Sequence, residues 1–172
     1  MNKIAGFYSP DQDLTMKDAH FKNILKNMAQ AQKPACSRNA AVDEDTAEYL
    51  NSRFGLSCTG RLLIRPQGSG KAGMLYSGEI YNCQELKKEL SVPGFPLSED
   101  EADILLTAYL AWGPGFIKKV NGCFSIAVMD GTENKLFLYR DRAGTKPLFC
   151  LFGESSLSLS RNQASGRSGK SQ

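Results

Sequence analysis

Apolar residues fall into short runs separated by polar, Gly- and Pro-rich stretches, and the period inside each run predicts the element it forms. Residues 4–8 (IAGFY) are apolar and bounded by Ser9-Pro10, which predicts a buried strand close to the N-terminus. Phe21, Ile24, Leu25 and Met28 stand at i, i+3, i+4 and i+7, the stripe of an amphipathic helix over residues 14–32. His20 lies beside that stripe and reads as an exposed helix residue. Residues 33–52 keep no period and are expected to form a loop.

Two strands at residues 61–65 and 73–77 flank the turn-rich stretch 66–70, a hairpin-like arrangement. Asn82 precedes a short helix with Leu86 and Leu90 one turn apart. Ser98 precedes a longer helix carrying Ile104, Leu105, Ala108 and Trp112, and Ser98-x-x-Glu101 has the spacing of a capping box. Trp112 and Phe124 are expected in the core. CFSIAVMD, KLFLYRD, PLFCLF and SLSLS read as successive antiparallel strands. Strands, then helices, then strands again predict an α+β domain in which an antiparallel meander packs on helices.

At 172 residues the chain suits one domain, placed at 1–160. Residues 161–172 contain nothing apolar larger than Ala and are expected to be a disordered polar tail. The net charge is +3, and Arg161, Arg167 and Lys170 lie in that tail, so the body is close to neutral, a poor footprint for nucleic acid. No window approaches the roughly 18 apolar residues of a membrane helix, and the N-terminus lacks the apolar run of an export signal. A cytoplasmic location is expected, without membrane association. Cys36, Cys58, Cys83, Cys123 and Cys150 are scattered without a C-x-x-C pair and only one His is present, so neither a metal nor a cofactor is expected.

Gly68-Ser69-Gly70-Lys71 resembles the end of a phosphate loop. The first Gly of that motif would fall on Arg65, however, and its closing hydroxyl residue on Ala72, which excludes it. Acidic clusters at 43–45 and 99–103 read as solvated loop and first-turn charges.

IAGFYSP, YSGEIYNCQELKKEL, AYLAWG, FIKKVNGCFSIAVMD and LYRDRAGTKPLF are less generic. In that order and at that spacing they resemble the class II glutamine amidotransferase domain of asparagine synthetase, from residue 1 to about 160. The resemblance implies an N-terminal-nucleophile hydrolase-like fold, a sandwich of two antiparallel sheets between helices. It also implies an N-terminal Cys that attacks the glutamine side-chain amide, with its own free amine as the base.

The sequence departs from the family at that site. Asn2, in Met1-Asn2-Lys3, occupies the position of the nucleophile, where the family reads Met-Cys-Gly, and a carboxamide offers no comparable nucleophile. The family's Tyr-Asn-Gly-Glu, whose Asn side chain and Gly N–H hold the oxyanion, is here Tyr76-Ser77-Gly78-Glu79. The resemblance places the family's Arg-Gly-Pro-Asp loop on Pro34-Ala35-Cys36-Ser37, which keeps none of its residues in register.

The resemblance places the Asp that binds the glutamine α-amine on Glu101, with the helix cap as its competing role. It places the Arg that pairs with the α-carboxylate on Arg61. The expected substrate-binding set is therefore Arg61, Ser77, Gly78, Glu79 and Glu101, with no catalytic residue. The expected function is a catalytically impaired glutaminase-like domain that binds glutamine or a separate ATP-dependent synthetase subunit. Competing readings are an active amidotransferase supplying ammonia for asparagine or other amide synthesis, through a displaced nucleophile such as Cys58 or Cys36, and a remnant without function.

Overall fold

The computed structural model describes residues 3–11, 13–31, 46–59, 62–90, 98–146, 148–152 and 157–160. Asn2, the 34–37 stretch, Arg61 and the polar tail lie outside them. The chain divides into two compact units, Met1–Gly60 with Pro147–Gln172, and Arg61–Lys146.

In the first unit a five-stranded antiparallel sheet runs in the order β2-β3-β1-β9-β8. The apolar N-terminal run forms β1 (Lys3–Tyr8) in its middle, paired with β3 (Phe54–Thr59) and β9 (Leu157–Ser160). β2 (Thr46–Leu50) and β8 (Phe149–Phe152) form the edges. Helix α1 (Asp18–Ala31) follows a 3-10 turn, Leu14–Lys17, capped by Asp13, whose carboxylate accepts the Thr15 N–H at 2.9 Å. The expected stripe does its work: Phe21, Ile24 and Met28 pack against buried Phe7, Leu14 and Leu25.

Two expectations are corrected here. Residues 46–50 and 54–59 are strands, not loop or unassigned chain: Phe54, Leu56 and Cys58 alternate as buried positions along the second, which pairs with both the first and the N-terminal strand. The C-terminal strands are not one meander, since β8 and β9 pair with each other and β9 then joins β1.

The second unit is a four-stranded antiparallel meander, β4 (Leu62–Gln67), β5 (Gly70–Ile80), β6 (Gly122–Asp130) and β7 (Lys135–Arg140). The α+β class is therefore as expected. Alternation along β5 and β6 turns Met74, Tyr76, Ile80, Phe124, Ile126 and Val128 to one face. That face forms a core with Leu86 and Leu90 of α2 (Cys83–Leu90) and Leu105 and Tyr109 of α3 (Glu101–Trp112). The buried Tyr109 hydroxyl donates to Asp130 at 2.5 Å. Asp130 also accepts the Thr132 and Glu133 N–H groups, each at 2.9 Å, and so fixes the β6–β7 turn.

Phe124 is buried as expected, whereas Trp112 is only half-buried, packed on the rim of the core beneath the Lys119 ammonium. Phe124→Ala is accordingly expected to cost ~3 kcal/mol and Trp112→Ala markedly less, a contrast that thermal melts of the two variants will check.

Candidate functional site

The candidate residues described by the structure gather at the C-terminal end of β5, where it passes β6. Ser77 lies opposite Ser125, Gly78 opposite Phe124, Glu79 opposite Cys123 and Ile80 opposite Gly122. Antiparallel residues alternate between pairs that exchange hydrogen bonds and pairs whose amides turn outward. Phe124 donates its N–H to the Asp141 carboxylate (3.2 Å), and its carbonyl accepts the Asp141 N–H (3.0 Å). Its backbone therefore faces the β7 side, and Gly78 belongs to an outward pair.

The same alternation is visible two residues on, where the Ile80 N–H leaves the ladder for Glu101 and the Tyr81 N–H returns to the Asn121 carbonyl. The Gly78 N–H thus points away from β6. On that side β4 begins at Leu62, opposite Leu75, so no described residue of β4 stands across from it.

Close approach of the two strands requires glycine here. A Cβ on Gly78 would lie 2.2 Å from the Cys123 carbonyl oxygen, and one on Gly122 would lie 2.3 Å from that of Glu79. Ser77 is buried, while Gly78 and Glu79 are exposed. A backbone donor and an adjacent carboxylate therefore meet solvent at the end of a rigid strand.

Glu101 is not the third residue of its helix. The helix starts at Glu101 with Asp100 as N-cap, and the Ser98 hydroxyl accepts the Asp100 N–H (3.0 Å), so the expected capping box does not form. Freed from that role, the Glu101 carboxylate accepts the Tyr76 hydroxyl at 2.5 Å and the Ile80 N–H at 3.3 Å. Burial, with help from Glu101, pushes the Tyr76 hydroxyl well above its ordinary pKa, so it remains a donor.

The two long sequence strings serve as anchors around this strand end. In Gly78-Glu79-Ile80-Tyr81-Asn82, the Asn82 side chain donates to the Lys119 carbonyl (2.8 Å) and accepts the Asn121 N–H (2.9 Å). In Arg140-Asp141-Arg142-Ala143-Gly144-Thr145-Lys146, Asp141 also accepts the Thr145 hydroxyl (2.7 Å) and the Thr145 and Lys146 N–H groups. Arg140 donates to the Gly144 and Lys146 carbonyls. Gly144 has φ +67°, and a Cβ there would meet the Arg140 guanidinium at 2.8 Å.

Asp141 was not singled out by sequence, although its place within a composition-independent string was a usable signal. Burial opposes its charge, but hydrogen bonds from Thr145, Lys146 and Phe124 outweigh burial and hold it at about 2. Because an unfolded Asp titrates near 3.9, this stabilisation is fully present above about pH 4 and is lost as pH falls through about 2. Asp141→Asn is expected to flatten the acid limb of a melting-temperature profile over that window.

Cys58 is buried on β3 and burial pushes its thiol up to about 11, so it is neither ionised nor reachable near neutral pH. Cys36 lies outside the described residues. Among the described residues no group of three His, Cys, Asp or Glu could hold a metal ion. No helix among them is long and apolar enough to cross a membrane.

Residues 59–165 match the family model of the glutamine amidotransferase domain. Asparagine synthetase [glutamine-hydrolyzing] 2 of Bacillus subtilis strain 168 is 42% identical over 136 residues, which is 74% of this chain and 17% of that protein. Asparagine synthetase [glutamine-hydrolyzing] 3 of the same strain is 39% identical over 77 residues, 44% of this chain and 12% of that protein. The chain thus spans under a fifth of the length of these relatives.

Among solved structures, the glutamine phosphoribosylpyrophosphate amidotransferase of B. subtilis complexed with ADP and GMP superposes with a TM-score of 0.58. The match covers 92% of this chain and 41% of that one at 12% identity, a likeness of fold. With the family model matching well over half of its length, the chain belongs to the glutamine amidotransferase domain family, and its similarity is to the asparagine synthetase type.

Proposed function

We propose that this domain binds glutamine without hydrolysing it, and that it does so in the service of an ATP-dependent synthetase partner. The observation that carries the reading is the outward Gly78 N–H beside the exposed Glu79, a donor for an amide carbonyl and a carboxylate for an ammonium in neighbouring positions. Arg61, just ahead of β4, supplies the guanidinium for the α-carboxylate. Hydrolysis is lost because Asn2 stands two residues ahead of Ile4-Ala5-Gly6-Phe7, where the resemblance calls for a thiol. The buried, protonated Cys58 is no substitute.

Calorimetry with millimolar glutamine is expected to register binding. Glu79→Gln is expected to weaken it about tenfold, the value of one charge-assisted hydrogen bond. An absence of heat would leave only the partner-binding role. A second reading, an active amidotransferase supplying ammonia for amide synthesis, is favoured by family membership and is separated from the first by glutamate release.

A further inference from the structure

We infer that Glu101 and Tyr76 are positioning residues: the Glu101 carboxylate staples the residues on either side of Ser77-Gly78-Glu79 and aims the Gly78 N–H, instead of gripping a ligand amine itself. Each oxygen already accepts from a residue flanking the segment. Oε2 accepts the Tyr76 hydroxyl at 2.5 Å, and Oε1 accepts the Ile80 N–H at 3.3 Å with the Cys83 thiol 4.0 Å away. Tyr76 immediately precedes the three-residue segment and Ile80 immediately follows it, so one side chain brackets the whole segment.

The sheet geometry explains what that bracket does. Gly78 and Ile80 are successive outward pairs on β5, and each would present a bare N–H beyond the start of β4. Glu101 occupies the Ile80 donor, which leaves the Gly78 donor as the one directed outward. On the opposite side, Asp141 fixes Phe124, the residue facing Gly78, by two hydrogen bonds. The strand end is thus held by a helix carboxylate on one side and a loop carboxylate on the other. As the first residue of α3, Glu101 has its charge supported by the helix N-terminus, so no ligand ammonium is needed to balance it.

What the Gly78 N–H receives rests on the glutamine-binding reading above, whereas the stapling does not, and the experiment separates the two. Amide exchange is read residue by residue by NMR in the ligand-free full chain, for Tyr76→Phe and Glu101→Ala. Exchange at Ile80, whose N–H the Glu101 carboxylate holds, is expected to rise about fivefold in Tyr76→Phe and about tenfold or more in Glu101→Ala, with β7 protection unchanged.

In parallel, affinities are measured for glutamine and for glutaramate, which is glutamine without its α-amine. Positioning predicts that both variants lose the same factor for both ligands. Unchanged exchange in Tyr76→Phe, or a loss confined to glutamine in Glu101→Ala, would overturn the inference and make Glu101 an amine ligand. If Glu101→Ala does not fold, Tyr76→Phe decides. If the unmodified protein binds neither ligand, the glutamine-binding reading falls while the exchange data still judge the staple.

Discussion

Gly78→Ala is expected to destabilise the protein by ~3 kcal/mol, lowering the melting temperature by about 10 °C, and to abolish ligand binding. The added methyl would lie 2.2 Å from the Cys123 carbonyl oxygen and 2.7 Å from the Phe124 Cα, both backbone atoms that no rotamer change can move aside. β6 cannot retreat cheaply, because Phe124 is tied to Asp141 through both its N–H and its carbonyl. The alternative is for β5 to move, and that turns the Gly78 N–H off its direction. Gly115→Ala is the matched control, since a Cβ there meets nothing within 4 Å, and it should melt close to the unmodified protein. Comparable melting of the two variants would show that the strand end yields easily and that Gly78 is not held by close approach.

Restoring a thiol alone is not expected to restore catalysis. Asn2→Cys with Lys3→Gly supplies the thiol and, once Met1 is removed, the terminal amine that serves as base. If Ser77 stands where the resemblance puts the family's Asn, the double variant still lacks one oxyanion donor, a loss that typically costs about a hundredfold to a thousandfold in rate. Adding Ser77→Asn should therefore raise glutamate release by about a hundredfold over the double variant. Ser77 is buried, so the triple variant is checked for an intact melting transition before it is assayed. Equal rates in the double and triple variants would remove Ser77 from the oxyanion site.

Much of the fold was legible wherever a period was clean. The α1 stripe follows from spacing because only one of its faces meets a core, whereas β5 and β6, buried on both faces through residues 72–77 and 124–130, show as short apolar runs closed by turn residues. β3 went unassigned although Phe54, Leu56 and Cys58 alternate along it, because the run is short and the positions between them, Gly55 and Ser57, are small and buried and not the charged outward residues that mark a half-buried strand. The split of the last four strands between two sheets was also hidden. The Asp141–Lys146 turn that redirects the chain depends on side-chain hydrogen bonds that no periodicity announces.

At the site, Ser77, Gly78 and Glu79 could be placed together from one short string. The part played by Glu101 could not, because it depends on where α3 begins. A start at Glu101 instead of at Ser98 turns its side chain from a cap into a bridge between α3 and β5.

The central claim is that this domain retains a glutamine site and has lost the reaction. The most direct test is glutamate release from millimolar glutamine by the unmodified protein, followed by a coupled dehydrogenase assay after its N-terminal processing has been verified. The account predicts no glutamate above the protein-free blank. Sustained turnover, abolished by changing a cysteine such as Cys36, would contradict it and establish a displaced-nucleophile amidotransferase.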